Sequence, residues 1–421
     1  MLLYGSIFLV ACSRSEDFFA GDVESPIWTV DPIDSVTFDS DEGLVNIHTV
    51  ADANFKGLKN ATDFIDISGI NASYCHPDVL YFPNKEHLDD NNWHPDVLYF
   101  PNKLNGYKYW MVFTPYFGAV GTNQNSKKFE NPSVVVSNDG LDWVNPPGLN
   151  NPIINAPFPT ESFGENKVDP IQGFWSDVDW IYLNNQFYLY YRGSFITAQS
   201  LKGKCVLSNT NFDRLKQNAH RTIVQQTSTD GIKWSNLNVA FTSNPPFTPK
   251  DDHLLSPSFI HDGGEFLSYE IELNLNPKNF KGKDPSYVVR RTSTDGINFT
   301  GFRDSKIVNF FNKPWLKEGN GNSPWHIQAT YADGYYFLCI AVGEVKRYTA
   351  ELLYVAYSKD GLNFKVFPKP LLKNNAYRSS IFPMGSNESL IKMGAMIGNK
   401  SGEFRYREFT LNKDRIEKSL K

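Results

Sequence analysis

The chain has 421 residues, of which 41% are hydrophobic and 21% are charged, and its formal net charge is −5 at pH 7. This is globular composition with enough length for a large core, and no long run of Lys or Arg occurs, so nucleic acid is not an expected partner. The unusual value is 15% aromatic residues, which suits a β-rich core and also offers rings that stack on sugars.

The first predicted element is a secretion signal. Residues 1–12 read MLLYGSIFLVAC, an apolar run with small residues before a cleavage point. Leu-Val-Ala-Cys resembles the bacterial lipobox, in which Cys12 would carry the lipid, although no Lys or Arg precedes the run. We therefore predict an exported, lipid-anchored protein of the bacterial cell envelope, whose only contact with the membrane is the lipid.

Residues 13–66 are predicted to form a tether and an N-terminal extension. Within them, LVNIHTV at 44–50 is a candidate latch strand that would complete the last sheet of the fold and remove its free edge. The four cysteines show no metal-ligand spacing, which argues against a structural zinc site.

A ten-residue string, HPDVLYFPNK, then occurs twice, at residues 76–85 and 94–103. The second copy runs directly into Asn105-Gly106 and a strand-like segment, whereas the first is followed by polar residues that cannot continue a hairpin. The second copy is therefore predicted to be the inner strand of the first sheet. The first copy is surplus, and it could compete for the same place because its side-chain pattern is identical.

A repeated turn organises the rest of the chain. The pattern Ser-x-Asp-Gly-[Leu/Ile]-x-[Trp/Phe] begins at four places: Ser137, Ser228, Ser293 and Ser358. The last three are 65 residues apart, and a period of this size indicates a propeller or an array. Because Asp-Gly favours tight hairpin turns, we assign a structural role to the turn aspartates, Asp139, Asp230, Asp295 and Asp360.

Each turn follows a β-rich run, and a further strand pair lies upstream of each run. A fifth, weaker unit follows near the C-terminus. The pattern predicts an all-β protein, a five-bladed β-propeller of four-stranded antiparallel blades over residues 67–421. A stacked array of sandwiches is the alternative.

The openings His94-Pro95-Asp96 and Ser176-Asp177-Val178, followed by hairpins and the repeated turns, resemble the five-bladed propeller glycosidases, the arabinanase, β-xylosidase and invertase group. The resemblance covers roughly residues 92–412 and is to an uncharacterised subgroup. In that group, an Asp opening the first blade is the general base, an Asp opening the second positions the substrate, and a Glu opening the third is the general acid. The resemblance places the first two roles on Asp96 and Asp177.

Asp179 is an alternate for Asp177, because residues two apart face the same side of a strand. The third position lacks a carboxylate, since residues 254–258 read LLSPS. Glu270 or Glu272, at the end of the following strand, could supply the acid if burial raised its pKa. Exposed structural glutamates are the alternative interpretation, and Glu130 and Glu344 are weaker candidates.

Six further residues lie near the predicted strand ends and could bind substrate: His94, Trp175, Arg192, Trp325, His326 and Arg378. Arg192 could clamp a carboxylate sugar or pair with Asp177. His326 could bind a sugar hydroxyl or help to hold a central metal ion. No cofactor is required by this hypothesis, and a Ca²⁺ ion on the propeller axis is left open. Packing roles are the alternative for these residues.

These features predict a glycoside hydrolase that acts on a polysaccharide or oligosaccharide in the funnel, the cavity at which the inner strands begin. Chemistry of this kind needs two carboxyl groups flanking the bond. The missing carboxylate of the third unit favours the alternative, a non-catalytic glycan-binding propeller. A cell-surface scaffold for other proteins is the third hypothesis.

Overall fold

A computed structural model describes residues 92–421, with gaps at 119–127, 131, 150, 155–172, 196–220, 243–253, 274–283, 320, 345–349, 375 and 399–403. The predicted lipidation at Cys12, the tether, the latch strand at 44–50 and the first copy of the duplicated string lie outside these residues. Within the described part of the chain, no helix is both long enough and apolar enough to cross a membrane.

Five sheets, antiparallel except for one short parallel strand pair in the fourth, are arranged as a five-bladed β-propeller, which confirms the predicted fold. Blade 1 contains β1 (Asn92–Leu104), β2 (Tyr107–Gly118), β3 (Lys128–Glu130) and β4 (Ser133–Ser137). Blade 2 contains β5 (Gly173–Leu183), β6 (Gln186–Phe195), β7 (Arg221–Ser228) and β8 (Asn238–Thr242). The second copy of HPDVLYFPNK lies on β1, the inner strand of blade 1, as predicted.

Blade 3 contains β9 (Leu255–His261), β10 (Phe266–Leu273), β11 (Ser286–Ser293) and β12 (Lys306–Ile307). Blade 4 has six strands: β13 (Asn309–Phe310), β14 (Asn322–Ala332), β15 (Tyr335–Glu344), β16 (Leu352–Ser358), β17 (Asn363–Val366) and β18 (Leu372–Lys373). Short 3-10 turns span Phe302–Asp304 and Pro314–Lys317.

Blade 5 contains β19 (Ser380–Ser386), β20 (Leu390–Gly398) and β21 (Phe404–Asn412). It has three described strands, and the latch strand predicted to complete this sheet lies outside the described residues. Helix α1 (Lys413–Leu420) follows β21 directly, whereas the other units have an Asp-Gly turn after their third long strand. Asn412 caps this helix by accepting the N–H of Arg415.

The four repeated turns have the structural role predicted for them. In the turn of blade 2, Oγ of Ser228 accepts the N–H of Gly231, while Oδ1 of Asp230 accepts the N–H groups two and three residues further on. The other three turns repeat these bonds. In the blade 2 turn, burial would raise the pKa of Asp230, but the donated hydrogen bonds hold it below its usual range.

Each repeated turn also packs against an aromatic ring of a neighbouring blade. Gly231 has φ +73°, and a Cβ atom added there would lie 2.3 Å from the ring of Trp110 in blade 1. Gly296 meets Tyr190 of blade 2, and Gly361 meets Tyr269 of blade 3 in the same way. The glycines therefore serve both the turn and the contact between blades.

We expect Gly231→Ala to destabilise the protein by about 3 kcal/mol, because strain at positive φ adds to overpacking against Trp110. The matched control is Gly263→Ala, since Gly263 has φ +96° but nothing within 4 Å of an added Cβ. That variant should lose only the strain, about 1 kcal/mol. Urea unfolding of both variants measures the difference, and equal losses would show that the turn contact contributes nothing.

The inner strands are joined on the propeller axis by a closed set of hydrogen bonds, which we call the axial ring. Each blade contributes one side-chain oxygen that accepts a backbone N–H from the next blade at 2.7–3.2 Å. The pairs, in order, are Asp96 with Trp180, Asp179 with Phe259, Ser258 with Ala329, Gln328 with Ile381, and Ser380 with Val97. Blade 5 is thereby tied back to blade 1.

Candidate functional site

A second polar layer lies two residues before the axial ring in every blade, and we call it the funnel layer. Its members are His94, Asp177, Ser256, His326 and Arg378, and all five are buried. The pairing of the inner strand is irregular next to the first three members, and these have φ of 56°, 52° and 48°. Bulges and left-handed residues at equivalent places in three blades re-aim side chains, and they are typical of functional sites.

Three members of the funnel layer form a compact cluster. One ligand atom from each of His94, Asp177 and His326 lies within 4.8 Å of the other two. Nε2 of His94 is 3.2 Å from Oδ1 of Asp177. The three residues come from blades 1, 2 and 4, so the propeller itself brings them together.

Neighbouring side chains orient two of these residues. Nδ1 of His94 is 3.0 Å from Oγ1 of Thr114, which leaves Nε2 directed at the cluster. Nη2 of Arg192 is 2.7 Å from Oδ2 of Asp177, which leaves Oδ1 directed at the cluster. Such supporting contacts are typical of metal ligands, because they fix the ring tautomer and the direction of the carboxylate.

His326 is held differently. Neither of its ring nitrogens has a hydrogen-bond partner within the described part of the chain. Its ring packs against Tyr377 with centroids 4.3 Å apart and against His94 at 5.4 Å. A buried imidazole with both nitrogens unsatisfied is costly, so this position favours a ligand that the nitrogen can bind.

The electrostatics suit cation binding. Burial would raise the pKa of Asp177, but the neighbouring side chains of Arg192, His94 and Arg378 hold it well below its usual range, so the carboxylate is ionised. Burial and the neighbouring His94 lower the pKa of His326 well below its usual value. A neutral imidazole and an ionised carboxylate are the forms that coordinate metals.

The predicted catalytic base, Asp96, lies in the axial ring and not in the cluster. Its Oδ1 receives hydrogen bonds from Ser380, Gln328 and the N–H of Val97, and its Oδ2 accepts that of Trp180. Burial raises the pKa of Asp96 to about 6 although these donors oppose it. With both oxygens engaged by the protein, the geometry favours a structural role for this carboxyl group.

Asp179, the alternate for Asp177, also lies in the axial ring. It accepts hydrogen bonds from Oγ of Ser258 at 2.6 Å and from the N–H of Phe259 at 2.7 Å. Burial and the adjacent Asp96 raise its pKa well above the usual range. The resemblance treated Asp96 and Asp177 as equivalent positions of blades 1 and 2. In the structure, Asp96 is equivalent to Asp179, and His94 is equivalent to Asp177.

The predicted acids of blade 3 are engaged as well. Glu270 is buried and forms an ion pair with Nε of Arg291 at 2.9 Å, and it accepts a hydrogen bond from Ser268. Glu272 accepts the N–H of Leu254. Neither glutamate belongs to the cluster. The weaker candidates Glu130 and Glu344 end β3 and β15.

The two predicted tryptophans differ in position. Trp175 is fully buried in a hydrophobic core cluster, where its ring is 5.2 Å from that of Tyr191. Trp325 is buried beside the site, 5.9 Å from the ring of His326. The sequence reasoning did not single out Thr114 or Tyr377. A pattern that could have found the funnel layer is the polar-x-polar triplet at each inner strand: HPD, DVD, SPS, HIQ and RSS.

No protein-family model matches the chain. The A type blood N-acetyl-α-D-galactosamine deacetylase of Flavonifractor plautii is 28% identical over 301 residues, which are 69% of this chain and 36% of that protein. The chain thus matches about a third of the length of this curated relative.

Solved structures were also compared with the chain. An N-acetylgalactosamine deacetylase from F. plautii, in complex with blood group B trisaccharide, has a TM-score of 0.55 at 22% identity and covers 81% of this chain and 94% of its own. An α-L-arabinofuranosidase from Fusarium graminearum has a TM-score of 0.44 at 12% identity, with 78% of each chain covered. At 22% identity, the similarity to the F. plautii structure shows the fold alone.

Proposed function

We propose that the protein acts on glycans as a hydrolase that removes the acetyl group from an N-acetylated amino sugar, supported by a divalent cation at His94, Asp177 and His326. The observation that carries the proposal is the convergence of three ligand atoms, from three blades, within 4.8 Å. The 28% identity to the F. plautii deacetylase supports the choice of substrate class. Export and the lipid anchor at Cys12 stay predictions from residues 1–12.

The donor set favours a transition metal. Two imidazoles and one carboxylate suit ions such as Zn²⁺, Mn²⁺ or Fe²⁺, whereas Ca²⁺ takes oxygen ligands. The axial ring is a poor place for the Ca²⁺ ion left open above, because the oxygens of Asp96 and Asp179 already accept hydrogen bonds from the protein. The cation site of this proposal is therefore the funnel layer.

A bound divalent cation would supply Lewis-acid polarisation of the acyl carbonyl group. The chain prepares the site for it through orientation. Thr114 fixes the ring of His94, Arg192 fixes the carboxylate of Asp177, and the ring of Tyr377 packs on His326. The axial ring lies two residues further along each inner strand and links neighbouring strands. The fold itself therefore fixes the orientation of the three side chains.

Glycoside hydrolysis has less support from the geometry. It requires one protonated and one ionised carboxyl group on either side of the glycosidic bond. Asp96, Glu270 and Glu272 are all engaged by neighbouring protein groups. Glycoside hydrolysis and non-catalytic glycan binding are therefore alternative outcomes of the test below.

The test is incubation of the purified protein with glycosides of N-acetylgalactosamine and N-acetylglucosamine, after removal of metals with a chelator. We expect acetate and a free amine to form when Mn²⁺, Zn²⁺ or Co²⁺ is restored, with every glycosidic bond intact. The matching galactosides and glucosides, which lack the N-acetyl group, are the controls. Shorter sugars in the products would indicate a glycoside hydrolase, and acetate release that survives chelation would contradict the metal site.

A further inference from the structure

The nitrogen atoms of Arg378, the fifth member of the funnel layer, differ in their contacts. It is buried, and its Nη2 donates to Oδ2 of Asp179 at 3.1 Å and to the carbonyl oxygen of Pro257 at 3.0 Å. Its Nη1 and Nε have no hydrogen-bond partner among the residues that the structure describes. Nη1 is 3.6 Å from Oδ1 of Asp177, at the edge of the cation site.

A buried N–H group without a hydrogen-bond partner has lost its hydration without compensation, and the cost is larger when the donor is charged. The funnel layer contains both acceptor atoms and donor groups whose hydrogen-bonding capacity is unused. Among the residues with a described placement, Oδ1 of Asp177, both ring nitrogens of His326, and Nη1 and Nε of Arg378 lack hydrogen-bond partners. A cation would bind Oδ1 of Asp177 and one ring nitrogen of His326, and a small ligand on that cation would satisfy Arg378 if it presented an oxygen atom to the guanidinium group.

Deacetylation provides such an oxygen atom. Water adds its oxygen to the acyl carbon, the C–N bond breaks, and both protons of the water end on the amine nitrogen, giving an ammonium group and acetate. The acyl oxygen gains negative charge during this step, and the product is a carboxylate. Guanidinium groups bind both by charge-assisted hydrogen bonds, which strengthen as the charge develops.

We propose that Arg378 is a catalytic residue that donates through Nη1 to the acyl oxygen of the substrate, and then to the carboxylate of the acetate product. This inference rests on the proposed function and names the group that would recognise the acetyl moiety. The Nη2 side of the same guanidinium remains structural, because it neutralises Asp179 in the axial ring.

The test uses Arg378→Lys, which keeps the charge beside Asp179 but lacks the forked donor geometry. With Mn²⁺-loaded protein and acetate as the probe, calorimetry should show acetate binding weakened about 10-fold or more. The affinity for Mn²⁺ should change by less than about 3-fold, and kcat for deacetylation should fall with acetate affinity. The matched control is Arg192→Lys, which should weaken Mn²⁺ binding and leave acetate binding at saturating Mn²⁺ unchanged, because Arg192 holds Oδ2 of Asp177.

If Arg378→Lys fails to fold, the double variant Arg378→Met with Asp179→Asn removes both partners of the buried pair and avoids an uncompensated charge. Unchanged acetate affinity in a folded, Mn²⁺-loaded Arg378 variant would overturn the inference and leave the proposed function intact. Absence of Mn²⁺, Zn²⁺ and Co²⁺ binding by the wild-type protein would instead overturn the proposed function itself.

Discussion

His94→Ala should lower the proposed deacetylase activity by about 1,000-fold or more, because a cation contributes several kcal/mol to hydrolysis and this change removes one of the three proposed ligands. The fold should survive, since His94 lies outside the axial ring. Calorimetric titration with Mn²⁺ or Zn²⁺ measures the loss of the site directly, and acetate release measures its consequence. Full metal affinity in this variant would place the cation elsewhere.

The chain supplies its own matched control for that experiment. His76 begins the first copy of HPDVLYFPNK and has the same nine following residues as His94. Because β1 carries the second copy, the substitution His76→Ala leaves the proposed metal ligands in place. This variant should retain metal binding and activity within about 2-fold of the wild-type protein. Equal losses in both variants would show that the two copies exchange in blade 1.

Asp96→Ala should lower the free energy of unfolding by about 3 kcal/mol, because it removes the acceptor of the Trp180 N–H and opens the axial ring. Ser258→Ala, at the equivalent position of blade 3, should have a smaller effect in the same direction, since it removes the acceptor of the Ala329 N–H. Urea unfolding measures both. Stability equal to wild type in Asp96→Ala would show that the ring does not hold the blades together.

Asp96→Asn separates the structural role from the catalytic one. The variant keeps an oxygen for Trp180, so the proposed deacetylation should persist within about 10-fold. Loss of turnover in a folded protein would instead restore the general-base hypothesis.

Comparison of this variant with the wild-type protein also tests how stability depends on pH. Burial raises the pKa of Asp96 to about 6 in the native state, above about 3.9 in the unfolded chain.

The native state therefore holds this proton more tightly, and the wild-type protein should lose stability relative to Asp96→Asn as the pH rises from about 4 to about 6. Above that range the difference should stay constant. Unfolding curves of both proteins at pH 4.5 and 7.5 measure it, and a difference that does not change with pH would contradict the assignment to Asp96.

The fold could be read from the sequence because its signals are local. The Asp-Gly turns are fixed by hydrogen bonds within four or five residues, as between Ser228 and Asp230, and strand alternation has a period of two. These features determined the all-β class, the five units and the place of the second HPDVLYFPNK copy. The latch strand at 44–50, predicted to complete the last blade, stays a prediction, and the sequence analysis did not identify helix α1 after β21.

The site depended on contacts that no local pattern contains. His94, Asp177 and His326 are 83 and 149 residues apart in sequence, and only closure of the propeller places them in one layer. The bulges before Asp96 and Asp179 shift the register by one position. Of the aspartates that the sequence singled out, Asp96 and Asp179 lie in the axial ring, and Asp177 lies in the cluster with His94 and His326. The sequence by itself thus determined which polar residues open each inner strand. Tertiary structure decided the role of each residue, because burial and contacts with other blades set the orientation and the charge of its side chain.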